Sequence, residues 1–275
     1  SVDGRGVYAI DVDSDGDLDV LSASWNDDTI AWYENDGSEN FSSHTISTSA
    51  GGATSVYAID IDGDGDIDVL SSAFTQGIAW YENDGSENFS THVITSTLAG
   101  AQMVTAADVD GDGDIDVLSA SQNDDTIAWY RNDGSENFSK LTITTSADGA
   151  KTIVATDLDA DGDIDVLAAS AGNDTVSFFR NDGSENFTES ALSTTADGAQ
   201  GVFAADIDSD GDLDVLSASE NDDTITWYEN DVGISFTAVN LDIEGAGHWA
   251  LEAADFDGDG DTDLAVSTTE TTVSS

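Results

Sequence analysis

Asp11 to Asp19 reads DVDSDGDLD, with Asp at positions 1, 3, 5, 7 and 9 and Gly at position 6. The pattern returns five times, as DIDGDGDID from Asp60, DVDGDGDID from Asp108, DLDADGDID from Asp157, DIDSDGDLD from Asp206 and DFDGDGDTD from Asp255. Carboxylates this close repel, at roughly 3 kcal/mol per pair for ~5 Å and an effective dielectric near 20. A cation among them removes that repulsion. Hard oxygen ligands at alternating positions, with a glycine where the chain turns, are the donor set of a calcium loop.

In the first copy Asp11, Asp13, Asp15 and Asp19 are read as side-chain ligands, and Asp17 as a ligand through its backbone carbonyl with its side chain toward solvent. Gly16 makes the tight turn. The same reading assigns Asp60, Asp62, Asp64, Asp66 and Asp68 in the second copy, and Asp108, Asp110, Asp112, Asp114 and Asp116 in the third. It then assigns Asp157, Asp159, Asp161, Asp163 and Asp165, next Asp206, Asp208, Asp210, Asp212 and Asp214, and last Asp255, Asp257, Asp259, Asp261 and Asp263. The expected cofactor is Ca²⁺, about one ion per repeat.

An EF-hand loop starts the same way but closes with an acid at position 12 and is flanked by helices. Position 12 here is Ser22, Ser71, Ser119, Ala168, Ser217 and Val266. The flanks, VYAI before and VLSAS after the first loop, are short and apolar and read as strands. Each loop therefore joins two strands, and Asp at position 9 closes the site. A solvated acidic turn would account for a single copy; six copies argue for a built site.

The loops start at 11, 60, 108, 157, 206 and 255, a period of 48 or 49 residues. Self-similarity of this length marks a propeller or solenoid. Four strand-like segments, A to D, recur in each unit; in the first they are expected at 7–12, 18–24, 29–34 and about 41–48. No helical period is present. The expectation is all-β: a β-propeller of four-stranded antiparallel blades, one domain over 1–275, with repeats at about 1–52, 53–100, 101–149, 150–198, 199–247 and a partial 248–275. The sixth unit breaks off after strands A and B, with Val273 aligned to Ile78, and such an open edge would invite strand addition from a neighbouring domain or another copy.

An Ala stands two residues before each loop, at Ala9, Ala58, Ala106, Ala155, Ala204 and Ala253, as a crowded inner strand requires. Strand C repeats TIAWYEN, with Trp32, Trp80, Trp129, Phe178 and Trp227 at one position and Tyr33, Tyr81, Tyr130, Phe179 and Tyr228 at the next. Adjacent residues on a strand face opposite sides, so the pair is expected to fill two gaps between blades, with sugar stacking as the alternative. ENDGSENF after strand C marks a tight turn.

The 275 residues carry 58 acids against 5 Lys plus Arg, for a formal charge of −53. Six Ca²⁺ would still leave about −41 from that −53. Nucleic acid and anionic membrane both need basic patches, so neither is an expected partner. No apolar run of 18 residues spans a membrane. An extracellular setting, secreted or at a cell surface, is expected, with any leader removed before Ser1. With no Cys to form disulfides, metal is the expected staple.

These residues resemble the FG-GAP/VCBS repeat propellers of integrin-α-like heads and of many secreted bacterial proteins. The resemblance rests on D-x-D-x-D-G-D-x-D in six copies and covers essentially the whole chain. It implies a calcium site in each A to B loop, an extracellular location and a role in binding or adhesion. The repeats lack the Phe-Gly start and Gly-Ala-Pro end of the family name and look closer to the bacterial VCBS type, which leaves an integrin-like ligand unassigned.

Strand alternation puts the Asp loops and the C to D turns on one face and the B to C and D to A connections on the other. Arg5, Thr54, Gln102, Lys151, Gln200 and Trp249 stand six residues before the loops; Trp25, Phe74, Gln122, Ala171, Glu220 and Thr269 stand fourteen after each loop start. These variable positions are read either as a shallow recognition surface for a glycan or protein ligand, centred on Arg5, Trp25, Phe74, Gln102, Lys151, Gln200 and Trp249, or as neutral drift. No enzyme is expected: His44, His92 and His248 lie in three different repeats, and a lyase-like set of His248 with Lys151 or Arg5 is weak. A calcium-stabilised adhesion module is the expected function, with a filament subunit assembling through the incomplete blade as the alternative.

Overall fold

The computed structural model describes residues 3–38, 40–231, 234–241, 247–260 and 262–268. The chain divides into two compact units, Ser1–Thr145 and Ser146–Ser275.

The first unit holds three four-stranded sheets. They are β1 (Gly4–Ile10), β2 (Asp19–Ser24), β3 (Thr29–Asn35) and β4 (Phe41–Ser47); then β5 (Ala53–Ile59), β6 (Asp68–Ala73), β7 (Gly77–Asn83) and β8 (Phe89–Thr95); then β9 (Ala101–Ala107), β10 (Asp116–Ser121), β11 (Thr126–Asn132) and β12 (Phe138–Thr144). The second unit holds β13 (Ala150–Thr156), β14 (Asp165–Ser170), β15 (Thr175–Asn181) and β16 (Phe187–Ser193), followed by β17 (Ala199–Ala205), β18 (Asp214–Ser219), β19 (Thr224–Asp231) and β20 (Ser235–Leu241). A two-stranded sheet, β21 (His248–Ala254) and β22 (Asp263–Thr268), completes it. Every sheet is an antiparallel meander in chain order. Val273 and the expected later strands of the sixth repeat lie outside the described residues.

Strand A starts and ends earlier than the sequence suggested, at Gly4–Ile10 rather than 7–12. At its far end Asp11 leaves the ladder because its carboxylate accepts N–H bonds from Asp15 and Gly16, 3.1 and 3.0 Å. At its near end a β-bulge lets pairing resume beyond Arg5, at Gly4 with Ser24.

Strand B is the buried spine. The DVLSAS and DVLAAS segments of β10, β14 and β18 are buried at all positions, and so is DVLSSA of β6, because adjacent Val and Leu put an apolar side chain on each face and the Ser and Ala that follow let neighbours approach from both. Strand D is largely exposed.

Within each unit the sheets stack, and the aromatic pair of strand C fills two different interfaces as expected. Trp32, Leu21 and Ile30 of the first sheet pack with Ala53, Val56, Ala58 and Tyr81 of the second. Trp80 and Leu70 meet Val104, Val117 and Tyr130 of the third. In the second unit Phe178 and Leu167 meet Val202, Val215 and Tyr228. The Ala before each loop is buried at Ala58 and Ala106 but exposed at Ala9, so crowding there is not uniform.

Candidate functional site

Each Asp loop leaves strand A and enters strand B through a backbone with two left-handed residues. The position-6 glycines Gly16, Gly65, Gly113, Gly162 and Gly211 have φ between 97° and 102°, where a side chain is strained. Position 4 is left-handed too, with φ of 57° to 79° at Ser14, Gly63, Gly111, Ala160, Ser209 and Gly258. That second kink escaped the sequence reading; the glycine in three of the six copies was its signal.

The kinks fold the carboxylates inward. One oxygen each from Asp60, Asp62 and Asp68 lies within 4.8 Å of the others, and the same holds for Asp108, Asp110 and Asp116 and for Asp157, Asp159 and Asp165. In the first and fifth loops the grouped set is Asp11, Asp13 and Asp15, and Asp206, Asp208 and Asp210. These are positions 1, 3 and 9 or 1, 3 and 5 of the expected set. Asp261 lies outside the described residues.

Position 9 has a second duty. Asp19 is fully buried, and its two oxygens accept the N–H of Val12 at 3.1 Å and of Asn35 at 2.7 Å. Asp68, Asp116, Asp165 and Asp214 repeat both bonds with Ile61 and Asn83, Val109 and Asn132, Leu158 and Asn181, and Ile207 and Asn230. The Asn closing strand C then donates from Nδ2 to the carbonyl of the residue before that Asp, as Asn35 does to Leu18 at 3.1 Å. One carboxylate thus buckles the loop to strands B and C. The Asn belongs to the site, although its place beside a glycine turn made it read as turn chemistry alone.

Position 7 corrects an expectation. The Asp17 side chain does not point to solvent: it is half-buried against Gly37 of the C to D turn, where a Cβ would strike its carboxylate. Asp66, Asp114 and Asp163 lie in the same way against Gly85, Gly134 and Gly183. The carboxylate groups named above do not include them.

Electrostatics show what the cluster lacks. Burial pushes Asp68, Asp116 and Asp165 up to about 6 against the pull of their backbone donors. Asp13, Asp62, Asp110, Asp159 and Asp208 are also raised, by burial first and neighbouring carboxylates besides. The residues fit a metal ion. Oδ1 of Asp108 is buried with no hydrogen-bond donor among the described residues, an acceptor left for a cation, and the donor set is all hard oxygen. The groups at positions 1, 3 and 9, with position 5, could hold it.

The opposite ends of strands A carry the second candidate set. Arg5, Thr54, Gln102, Lys151, Gln200 and Trp249 are each the residue that the ladder register skips at a β-bulge, set between register partners such as Ala101 and Met103. In the first unit the Arg5 guanidinium sits 4.9 Å over the Trp25 ring, and Trp25 meets Phe74 at 5.1 Å. Gln102 Nε2 donates to Gln122 Oε1 at 2.8 Å. Thr54 is buried, its hydroxyl within reach of the carbonyls of Ser72 and Ala101, so it leaves the surface set. In the second unit Gln200 Nε2 donates to Glu220 Oε2 at 2.6 Å, Lys151 is half-buried and Trp249 is 42% exposed. Thr269 lies outside the described residues.

No curated protein matches the sequence. Among solved structures, a lectin of Agrocybe aegerita that recognises non-reducing terminal N-acetylglucosamine matches with TM-score 0.66 at 18% identity, over 96% of this chain and 75% of that one. The V. cholerae biofilm matrix protein Bap1 gives 0.56 at 18%, over 92% of this chain and 42% of that one, so this chain spans less than half of Bap1. A functionally unknown protein from Desulfotomaculum acetoxidans gives 0.61 at 15%, over 90% and 73%. At such identities the likeness is one of fold. The model of the FG-GAP-like repeat matches residues 11–71, 72–119, 108–168, 157–217 and 206–266, nearly the whole length, and the chain belongs to the FG-GAP-like repeat family.

Proposed function

We propose that this chain is a calcium-stabilised, non-catalytic glycan-binding module of a secreted or surface-displayed protein, its repeats forming the blades of a β-propeller. The observation that carries the binding role is the row of bulges. The repeats are nearly identical at their loops, spines and aromatic pairs, yet vary at the one residue per strand A that the ladder register skips. Bulges re-aim side chains and are enriched beside binding sites. The Arg5, Trp25 and Phe74 group offers rings for the apolar face of a sugar and a guanidinium for its hydroxyls.

Calcium, bound among the Asp clusters, would neutralise carboxylates and tie loop to sheet. The propeller reading is supported by a near-constant period of four-stranded antiparallel meanders, each stacked on the next within its unit. The non-catalytic reading is supported by the histidines. His44 and His92 are held by Glu34 and Glu82 at 2.8 and 2.7 Å, and His248 is wholly buried.

A glycan array probed with the full chain in calcium tests the proposal. Binding should be retained by the wild type and lost in Trp25→Ala/Phe74→Ala, while both proteins melt at similar temperatures. Absence of any glycan signal, or binding untouched by changes at Trp25, Phe74 and Trp249, would overturn it.

A further inference from the structure

Strand C ends in Tyr or Phe, one variable residue, then the buckling Asn. The variable residue is Glu34, Glu82, Arg131, Arg180 and Glu229 in the first five repeats. Two of the five Lys and Arg in the chain therefore occupy this one position, in the third and fourth repeats.

Those two arginines reach the Asp loops. Arg131 Nε lies 2.7 Å from Asp110 Oδ2, with Nη2 3.9 Å from Asp112 Oδ2. Arg180 Nε contacts Asp159 Oδ2 at 2.5 Å and Nη2 contacts Asp161 Oδ2 at 2.9 Å. Asp110 and Asp159 are position-3 groups with side chains only 9% and 6% exposed, and both belong to the carboxylate sets described above.

The glutamates of the first two repeats turn elsewhere. Glu34 and Glu82 pair with His44 and His92, which stack on Trp32 and Trp80 at 4.7 and 4.6 Å. Opposite the strand C aromatic of the third and fourth repeats stand Leu141 and Ser190 instead of His. Both Arg repeats lack the His, so no cross-strand histidine faces the guanidinium and it spans to the loop; the fifth repeat also lacks it, with Val239 opposite Trp227, but keeps Glu229.

We propose that Arg131 and Arg180 are tethered counterions that stand in for metal in the third and fourth loops. The first five repeats then fall into a metal-dependent class, the first, second and fifth, and a metal-sparing class, the third and fourth. This rests on the reading of the loops as calcium sites. The guanidinium engages position-3 and position-5 oxygens that an ion would use, and its charge repels a second cation. Calcium affinity follows the negative charge of the ligand set, so the sparing loops bind more weakly, on the order of tenfold or more. They are weakened and not closed, since Asp108 Oδ1 still has no hydrogen-bond donor among the described residues.

The position-6 glycine amides report each loop separately. Gly16, Gly65, Gly113, Gly162 and Gly211 each donate to the position-1 carboxylate at 3.0 or 3.1 Å, and their resonances must respond when that carboxylate takes an ion. In a calcium titration of the metal-free full chain followed by NMR, Gly16, Gly65 and Gly211 should shift first, and Gly113 and Gly162 at about tenfold higher calcium. Arg131→Gln/Arg180→Gln should bring the late pair forward, and Glu82→Arg should delay Gly65 alone. All five shifting together, or the late pair unmoved by the arginine changes, would overturn the counterion role while leaving the calcium reading intact. No shift at any concentration would overturn the calcium reading and the counterion role with it.

Discussion

Asn83 shows how much one uncharged residue carries. Its N–H meets Asp68 at 2.8 Å, its Nδ2 meets the Ile67 carbonyl at 3.2 Å and its Oδ1 receives Gly85 N–H. It is buried, so Asn83→Ala leaves a carbonyl and an amide without partners and should cost about 1–3 kcal/mol, measured by denaturant unfolding in saturating calcium. Position 4 predicts the opposite sign. Ala160 sits at φ 57°, a left-handed conformation costing roughly 1–2 kcal/mol for a residue with a Cβ. Glycine relieves that strain but adds about 0.5–1 kcal/mol of unfolded-state entropy. Ala160→Gly should therefore stabilise by roughly 0.5 kcal/mol, seen as a higher denaturation midpoint. The alternating Asp made the ion set legible from sequence. The buckle was hidden because a bond that Asp19 accepts from the Asn35 amide, sixteen residues on, has no local signature.

At the scale of the strand, the proposed function assigns stability to the aromatic pair and recognition to the bulge and the connection beside it. Trp80 is 1% exposed and fills the interface of two sheets. Trp80→Ala should lower stability by about 3–5 kcal/mol in equilibrium unfolding, by lost transfer and a residual void. Trp25 is only half-buried in a connection between strands, and Trp25→Ala should stay within about 1 kcal/mol in the same assay while carrying the loss of ligand. Strand existence and order could be read from period-2 patterning and turn residues. The bulges could not: Arg5, Thr54, Lys151 and Trp249 occupy the inserted position and share no chemistry that would flag it.

For the whole chain, the balance is between burial and a formal charge of −53. Metal bound only to the folded state stabilises each site by about 2.7 kcal/mol at 100-fold saturation. Chelation should therefore lower the melting temperature steeply, and a melt indifferent to chelator would contradict calcium as the staple. In chelator, raising salt from about 0.01 to 1 M shortens the screening length from roughly 30 to 3 Å, and the melting temperature should recover part of the loss. The 49-residue period was plain in the sequence, whereas the division at Thr145 and Ser146 was not, because adjacent repeats are so alike that no composition change marks it. The bulges bear on how such a chain diversifies. A residue outside the ladder can be exchanged without shifting strand register, so each copy can vary while its neighbours stay as they are, and a library randomised at Arg5, Gln102, Lys151, Gln200 and Trp249, with the buried Thr54 kept, should remain folded.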